Sequence, residues 1–306
     1  MENMKILVTG GAGFIGSHVV DALIEKGHRV SVIDSLVSGR TENVNSQAKF
    51  YKADCNDSEI DRIFDVEKPE AVYHLAFNTN VPLSVREPLF DVQSITGSVK
   101  ILENCRRTKI AKIIFSSSGF IYGNTDNFPT KEDEPFKPIA PYSISKYTVE
   151  QYIRFYRDVY AVPFVIFRLA TVYGPRQMSG ALNDYIEKIS KNKQAELYGD
   201  KPKTRDYVFI KDVVTALLLA LDYNLEPSVE PIFNVGTGRE TSLPEVCALI
   251  AKLLSKKNEP IYKPGRPGEL ERYCLDYSKI KKIFDWKPEY DLETGLKEIL
   301  KYKKLL

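Results

Sequence analysis

A group of glycines near the amino terminus constrains the fold of this chain more than any other feature. Residues 9–18 follow the apolar residues 6–8 and lead into a helical pattern at residues 19–24. The glycines at positions 10, 11, 13 and 16 fit the spacings G-x-G-x-x-G and G-x-x-G-x-x-G. In a strand–turn–helix unit, such glycines form the tight turn, admit a pyrophosphate close to the backbone, and let helix and strand pack closely. We therefore expect a dinucleotide to bind with its phosphates at the start of the first helix, where free N–H groups and the helix dipole favour negative charge.

The first half of the chain alternates apolar runs with helical patterns. The runs that we predict to be strands span residues 5–9, 29–33, 49–52, 71–75, 112–116 and 164–169. The helical patterns between them span residues 15–26, 59–65, 88–108 and 142–160. This alternation predicts an α/β fold with a doubly wound (Rossmann) parallel sheet that is covered by helices on both faces. In such a sheet, ligands bind beyond the carboxyl ends of the strands, where the strand order reverses.

Two later segments are predicted to return to this sheet. Residues 208–221 have the pattern of a helix, and residues 231–236 that of a strand. We therefore assign residues 1–174 and 207–238 to a dinucleotide-binding domain. Residues 175–206 and 239–306 are assigned to a smaller C-terminal α/β lobe that binds the substrate.

The composition of the 306 residues excludes several classes of function. The net charge is only +2, so we expect neither a nucleic-acid surface nor binding to an anionic membrane. No apolar run approaches the roughly 20 residues of a membrane helix. Because the first strand begins at Lys5, we expect no signal peptide and a cytoplasmic location. The four cysteines lack a C-x-x-C spacing and the three histidines lack ligand spacing, so we expect reduced thiols and no metal site.

Carboxylates at strand ends indicate which dinucleotide binds. Asp34 ends the second predicted strand, on the order of 20 residues past the glycine turn, where a carboxylate accepts hydrogen bonds from the adenosine ribose. It would also repel a 2′-phosphate, so the sequence favours NAD over NADP, although Arg40 lies nearby. Asp54, after the third strand, is predicted either to reach the adenine amino group or to cap the next helix.

Hydroxyl groups and a Tyr–Lys pair indicate the chemistry. Ser116, Ser117 and Ser118 follow one another at the carboxyl end of the fifth strand, and buried hydroxyls there need partners. Tyr142 and Lys146 are four residues apart, so they share one face of the helix that starts there. An ammonium beside a phenol favours the phenolate, as does a positive nicotinamide ring, so we expect the pKa of Tyr142 to fall from about 10 towards neutrality. The pattern predicts a tyrosine that acts as a general base.

Taken together, these segments resemble the extended short-chain dehydrogenase/reductases, in the branch of nucleotide-sugar epimerases and dehydratases. The resemblance covers nearly the whole chain. The matching segments are residues 9–17, Asp34, 74–76, 116–123, Tyr142 with Lys146, 168–177, 205–208, 233–236, 266–269, 275–279 and 286–288. The resemblance implies NAD as the cofactor and a UDP-sugar as the substrate.

The resemblance also implies roles for individual residues. Tyr142 is the catalytic base and acid, Lys146 tunes it and holds the nicotinamide ribose, and Ser118 hydrogen-bonds the reacting sugar hydroxyl. The residues implied to bind the cofactor are Gly10, Gly13, Phe14, Ile15, Gly16, Asp34, Ser35, Gly39, Asp54, Leu75, Ala76, Ser116, Tyr142 and Lys146. Those implied to bind the substrate are Ser117, Ser118, Thr171, Arg205, Arg266 and Glu269, with the two arginines on the diphosphate. Asp206 and Glu269 are expected to orient these arginines or a ribose.

The chain departs from the family pattern at a few positions. Thr171 stands where an asparagine usually contacts the substrate phosphate, which shortens or removes that contact, and Ser94 replaces an asparagine near the cofactor pocket. Dehydratases of this branch carry an Asp-Glu pair that expels water from C5 and C6 of the sugar. Here Gly119 and Phe120 occupy those positions and cannot exchange a proton, which disfavours a 4,6-dehydratase.

The resemblance therefore implies an NAD-dependent enzyme that inverts C4 of UDP-glucose and UDP-galactose through a 4-keto intermediate. Two alternatives stay open. One is another enzyme of the branch, such as a UDP-glucuronate 4-epimerase, a decarboxylase or a keto-sugar reductase. The other is a dinucleotide-sensing binding protein without catalysis. The family arrangement also implies a homodimer, in which the helices near residues 88–108 and 142–160 pair across a two-fold axis.

Overall fold

The computed structural model describes residues 3–222, 226 and 228–306. The strands are β1 (Lys5–Thr9), β2 (Arg29–Asp34), β3 (Lys49–Lys52), β4 (Ala71–His74), β5 (Lys112–Ser118), β6 (Phe164–Leu169), β7 (Thr171–Tyr173), β8 (Glu196–Tyr198), β9 (Thr204–Arg205), β10 (Tyr207–Phe209), β11 (Ile232–Val235), β12 (Thr241–Ser242) and β13 (Ile261–Lys263). The helices are α1 (Phe14–Glu25), α2 (Glu59–Glu67), α3 (Val81–Arg86), α4 (Pro88–Thr108), α5 (Pro141–Tyr160), α6 (Ala181–Ser190), α7 (Ile210–Asp222), α8 (Leu243–Leu253), α9 (Ser278–Phe284) and α10 (Leu292–Tyr302). No helix among the described residues is long and apolar enough to cross a membrane.

One large sheet organises the chain. Within the described residues it contains seven strands in the order β11-β6-β5-β4-β1-β2-β3, and all neighbours are parallel. The strand order reverses at β1, which lies between β4 and β2. This confirms the doubly wound α/β fold that the alternation of patterns predicts. It also places a ligand crevice beyond the carboxyl ends of β1 and β4.

Two groups of buried side chains fill the two faces of the sheet. On one face, Val19 and Leu23 of α1 and Leu217 of α7 pack against the strands. On the other face, Phe64 of α2, Ile101 of α4 and Ile153 of α5 do the same. Because both faces are covered, the inner strands are buried and largely apolar. Strands β1, β3 and β6 begin and end at the predicted residues. Strand β5 runs two residues further than predicted, since Ser117 and Ser118 continue its pairing with β6.

The later elements connect the sheet to smaller strand pairs. Strand β11 joins the large sheet beside β6, and residues 231–236 were predicted to return to this sheet. Helix α7 begins two residues later and ends one residue later than the predicted helix. Outside the large sheet, β7 pairs with β10, β8 with β13 and β9 with β12. The division of the chain into two lobes at residues 174, 206 and 238 stays a prediction.

Candidate active site

Helix α5 presents Tyr142 in its first turn because the local sequence fixes where the helix begins. Pro141 occupies the first helical position, where the fixed φ of proline is favourable. The Ser143 hydroxyl accepts a hydrogen bond from the Ala140 amide at 3.2 Å and donates one to the Ala140 carbonyl at 2.8 Å. The Tyr142 amide donates to the Ser84 hydroxyl in α3 at 3.2 Å. The backbone that carries the tyrosine is therefore held from two sides.

Three predicted catalytic side chains meet at the carboxyl end of β5. The Ser118 hydroxyl hydrogen-bonds the phenol of Tyr142. The ammonium of Lys146 donates to the Ser116 carbonyl at 2.6 Å and lies 3.8 Å from the centroid of the Phe77 ring. Tyr142 is 8% exposed and Lys146 2% exposed. The spacing of four residues thus brings both side chains to the strand end that carries the serines.

The electrostatics of this group differ from the expectation based on the sequence. Burial raises the pKa of Tyr142 to about 12, and the hydrogen bond from Ser118 opposes this shift only in part. Burial also lowers the pKa of Lys146 to about 7. In the protein alone, the pKa of Tyr142 therefore does not fall towards neutrality, because desolvation is the largest cause of its shift and Lys146 is not among the causes. The prediction that the lysine acts together with a positive nicotinamide ring stays a prediction.

A cavity of about 650 Å³ opens beside this group. The predicted site residues in its lining are Phe14, Ile15, Leu75, Ser116, Ser117, Ser118, Tyr142, Lys146, Thr171, Arg205, Arg266 and Glu269. Those outside the lining are Gly10, Gly13, Gly16, Asp34, Ser35, Gly39, Asp54 and Ala76. The Ser117 hydroxyl is buried and has no hydrogen-bond partner among the described residues, so it is available to a ligand. The structure thus places the predicted catalytic side chains and the predicted phosphate-binding arginines around one cavity.

The two arginines are held by different contacts. The Arg205 guanidinium donates to the Thr204 carbonyl at 2.7 Å, and burial lowers its pKa. The guanidinium carbon of Arg266 lies 3.3 Å from the centroid of the Tyr198 ring. Glu269 is 4.0 Å from Arg266 but only 2.5 Å from the ammonium of Lys203. Glu269 therefore orients Lys203 more closely than it orients Arg266.

Two predicted aspartates have other roles in the structure. Asp206 accepts hydrogen bonds from the backbone amides of Thr237 at 2.9 Å and Leu275 at 3.2 Å. It ties two loops together, so it does not orient an arginine, and the alternative in which it orients a ribose stays a prediction. Asp54 accepts a hydrogen bond from the Asn56 amide at 2.9 Å within a turn. Helix α2 begins five residues after Asp54, with Ser58 as its N-cap, so the alternative in which Asp54 caps that helix is wrong. The alternative in which Asp54 reaches the adenine stays a prediction.

The glycine turn after β1 shows why its glycines are needed. Gly10 has φ +73°, and a Cβ there would lie 2.7 Å from the Ala76 amide nitrogen. A Cβ on Gly16 would lie 2.0 Å from the Gly10 carbonyl oxygen. Gly13 is the N-cap of α1 and offers no side-chain cap, which leaves the amides of the first turn available to an anion.

Comparison with known proteins identifies the family. The model of the NAD dependent epimerase/dehydratase family matches residues 6–236. The chain belongs to this family. It is 40% identical over 305 residues to a putative UDP-glucose 4-epimerase of Methanocaldococcus jannaschii, with 98% of each chain covered.

Two solved structures extend the similarity to three dimensions. A UDP-glucose 4-epimerase from Thermotoga maritima, with UDP-glucose, has a TM-score of 0.94 and 42% identity, and the match covers 98% of this chain and 99% of that one. The Thermus thermophilus UDP-glucose 4-epimerase in complex with NAD has a TM-score of 0.92 and 35% identity, with 98% and 99% covered. These structural similarities confirm the family resemblance that the sequence motifs indicate.

The cofactor of the family is NAD, and the residues around the glycine turn fit it. The uncapped start of α1 suits the pyrophosphate. At the end of β2, the Asp34 carboxylate accepts hydrogen bonds from the amides of Ala12 at 3.0 Å and Leu36 at 2.8 Å, which fixes it beside the turn. A Cβ on Gly39 would lie 2.6 Å from an Asp34 oxygen, so this glycine allows the close approach of the next loop. That Asp34 holds the adenosine ribose stays a prediction.

One of the two positions that carry acids in the dehydratase branch has no room for a side chain here. A Cβ on Gly119 would lie 2.4 Å from the hydroxyl of Tyr273 and 2.8 Å from a Leu275 methyl carbon. Phe120 packs edge-on against Tyr142, with ring centroids 6.3 Å apart. An acidic side chain at position 119 would therefore collide with Tyr273, in keeping with an epimerase rather than a dehydratase.

Several residues of the cavity were missed by sequence reasoning. The lining also includes Gln177, Tyr198 and Tyr207. Gln177 ends the matched segment 168–177, and Tyr207 directly follows Arg205 and Asp206, so the motifs contained a signal for both. Tyr198 lies on the short strand β8, and nothing in the local sequence distinguishes it from a core aromatic residue.

Proposed function

We propose that this protein is an NAD-dependent 4-epimerase that interconverts UDP-glucose and UDP-galactose. The observation that carries the proposal is one shared cavity, lined by Tyr142, Ser118 and Lys146 together with Arg205 and Arg266. The first three supply proton transfer, and two guanidinium groups match a diphosphate. The T. maritima relative binds UDP-glucose, which supports the same substrate class here.

The chain's own residues account for the proton transfers and for the turnover of the sugar. When bound, NAD supplies a reversible acceptor for the hydrogen of C4 and a positive charge beside Tyr142. Tyr142 removes the proton of the C4 hydroxyl, and Ser118 holds that hydroxyl. The 4-keto sugar then turns over while Arg205 and Arg266 keep the diphosphate in place. Tyr142 returns the proton once the sugar presents its other face, which inverts C4.

A single assay tests this proposal. Purified protein is incubated with UDP-galactose and no added cofactor, and the products are resolved by chromatography. We expect UDP-glucose as the product, because an epimerase regenerates and retains its NAD. No conversion of UDP-galactose by protein with full NAD occupancy would contradict the proposal. Conversion of UDP-glucuronate instead of UDP-galactose would identify the protein as a UDP-glucuronate 4-epimerase.

We infer a cytoplasmic role in galactose metabolism. The substrate pair of the proposed reaction links galactose to glucose at the level of UDP-sugars. The four cysteines are free thiols, as is usual in a reducing compartment.

We also propose that the protein is a homodimer. Large apolar side chains are exposed on α4 and α5, including Leu89 (85%), Phe155 (48%) and Val159 (56%), and exposed apolar side chains on two neighbouring helices are typical of an interface. Light scattering is expected to give twice the chain mass of 34.8 kDa. Phe155→Glu should give the monomer mass, whereas Tyr262→Glu, on the exposed β13, should not change the mass. A monomeric wild-type protein at micromolar concentration would contradict the dimer.

A further inference from the structure

Asp91 is a fully buried carboxylate close to the catalytic helix, and no step of the proposed reaction uses it. It lies in the first turn of α4 and is 0% exposed. We propose that Asp91 is a positioning residue. Its carboxylate holds the segment after β4, which forms one wall of the cavity, against the helix that carries Tyr142 and Lys146, and we call this contact the clamp. This inference rests on the proposed function.

The two carboxylate oxygens of Asp91 bind two different parts of the site. One accepts a short hydrogen bond from the hydroxyl of Ser145, which lies three residues after Tyr142 and directly before Lys146. The other accepts a hydrogen bond from the side-chain amide of Asn78 at 3.1 Å. One buried group therefore joins α5 to the segment that follows β4.

From Asn78 the contacts continue to the cavity wall. Its side-chain oxygen accepts from the Asn80 amide at 3.1 Å, and Asn80 in turn caps α3 through the Leu83 amide at 2.9 Å. Residues 79–82 line the cavity. The Ser84 hydroxyl of α3 accepts from the Tyr142 amide at 3.2 Å, which closes a ring of contacts. Displacement of Asp91 would thus move the cavity wall and the first turn of α5 together.

Ser94 adds a second link at the same place. Its hydroxyl accepts a hydrogen bond from the Asn78 amide at 3.2 Å. The departure from the family asparagine at this position thus leaves a side chain that still holds the segment after β4. Asp91 and Ser94 fix Asn78 through its side chain and its backbone, respectively.

The charge of Asp91 also acts on the catalytic pair. It raises the pKa of Tyr142 and opposes the lowering of the Lys146 pKa that burial causes. Three further titratable groups face this pair. Glu150 of α5 raises the Lys146 pKa, while the phenol of Tyr273 faces Tyr142. His74 of β4 stays neutral because burial lowers its pKa to about 3.

The test is the variant Asp91→Asn, which keeps the size of the side chain but removes the charge and one acceptor. We expect kcat to fall about tenfold, because small displacements of reacting groups are costly, while KM for UDP-galactose stays nearly constant. Both limbs of the kcat pH profile should move to lower pH by about one unit, because a negative charge that favours the protonated forms of Tyr142 and Lys146 is gone. A merely structural role would not move these limbs.

Two further variants separate the clamp from its charge. Ser145→Ala keeps the carboxylate and is expected to lower kcat without moving the pH limbs. Asp212→Asn removes another buried carboxylate, which accepts from the amides of Glu289 and Tyr290, and should leave the limbs in place. Unchanged kcat and pH limbs in both Asp91→Asn and Ser145→Ala would overturn the proposal.

Hydrogen–deuterium exchange gives a readout that does not depend on activity. In Asp91→Asn, peptides that cover residues 78–84 and the start of α5 should exchange roughly fivefold faster, the effect of losing one hydrogen bond of ordinary strength. The exchange rate of peptides that cover β11 should not change. If Asp91→Asn does not fold, Ser145→Ala is measured in its place. Inactive wild-type protein would contradict the proposed function alone, whereas unchanged exchange at residues 78–84 would overturn the clamp.

Discussion

Replacement of Tyr142 with phenylalanine is expected to lower kcat by roughly 10²–10⁴-fold, the range that a positioned acid–base group contributes. The ring should stay in place, because Phe77 and Phe120 pack edge-on against it at centroid distances of 6.2 and 6.3 Å. Only the oxygen that Ser118 hydrogen-bonds is lost. Initial rates of UDP-galactose conversion measure the effect, and KM for the sugar nucleotide is expected to change little.

A neighbouring tyrosine supplies the control for this variant. Tyr147 lies on the same helix and packs against Phe136, with ring centroids 4.5 Å apart. Tyr147→Phe removes the same atom from the same kind of side chain and is expected to keep the wild-type kcat. The NAD content of each purified variant is measured in parallel. A Tyr142→Phe protein that holds NAD and turns over at the wild-type rate would contradict the assigned role.

Replacement of Arg168 with methionine is expected to lower the free energy of unfolding by roughly 3–5 kcal/mol, because it leaves a buried charge without its partner. Arg168 is 1% exposed and Glu150 0% exposed, and a guanidinium nitrogen lies 2.8 Å from a Glu150 oxygen. Arg168 also donates to the Tyr122 hydroxyl and to the Glu132 carbonyl, both at 2.9 Å. Urea denaturation followed by circular dichroism measures the loss as a lower midpoint.

Two further variants show whether the unpaired charge is the cause. Arg168→Met combined with Glu150→Leu removes both charges and is expected to restore most of the lost stability. Lys191→Met breaks an exposed pair with Glu187 and should leave the midpoint nearly unchanged. A double variant as unstable as Arg168→Met would show that lost packing, rather than the stranded carboxylate, accounts for the effect.

The sequence predicts most of the fold because its signals are local. Parallel strands that are buried on both faces are largely apolar, so β1 and β6 could be placed to the residue. Helix α4 also begins and ends where its pattern does. The glycine spacing identifies the dinucleotide turn because only glycine tolerates the backbone contacts of Gly10 and Gly16.

The same locality explains which parts of the site could be predicted. Tyr142 and Lys146 are four residues apart on one helix, so their common face follows from helix geometry alone. Arg205 and Arg266 lie on distant segments, and only their motifs pointed to the cavity that they line. Tyr198 has no such motif and was not predicted.

Local sequence therefore determined the order of strands and helices, the glycine turn and the spacing of the catalytic pair. The tertiary structure decided the electrostatics of that pair, since the pKa values of Tyr142 and Lys146 depend on burial by distant segments. It also decided the partners of Asp206, which binds the loops at residues 237 and 275 rather than an arginine, and of Asp91, which joins α4 to α5 and to the segment after β4. Desolvation and long-range hydrogen bonds depend on which segments meet in space, and that is settled only when the sheet and its helices have packed.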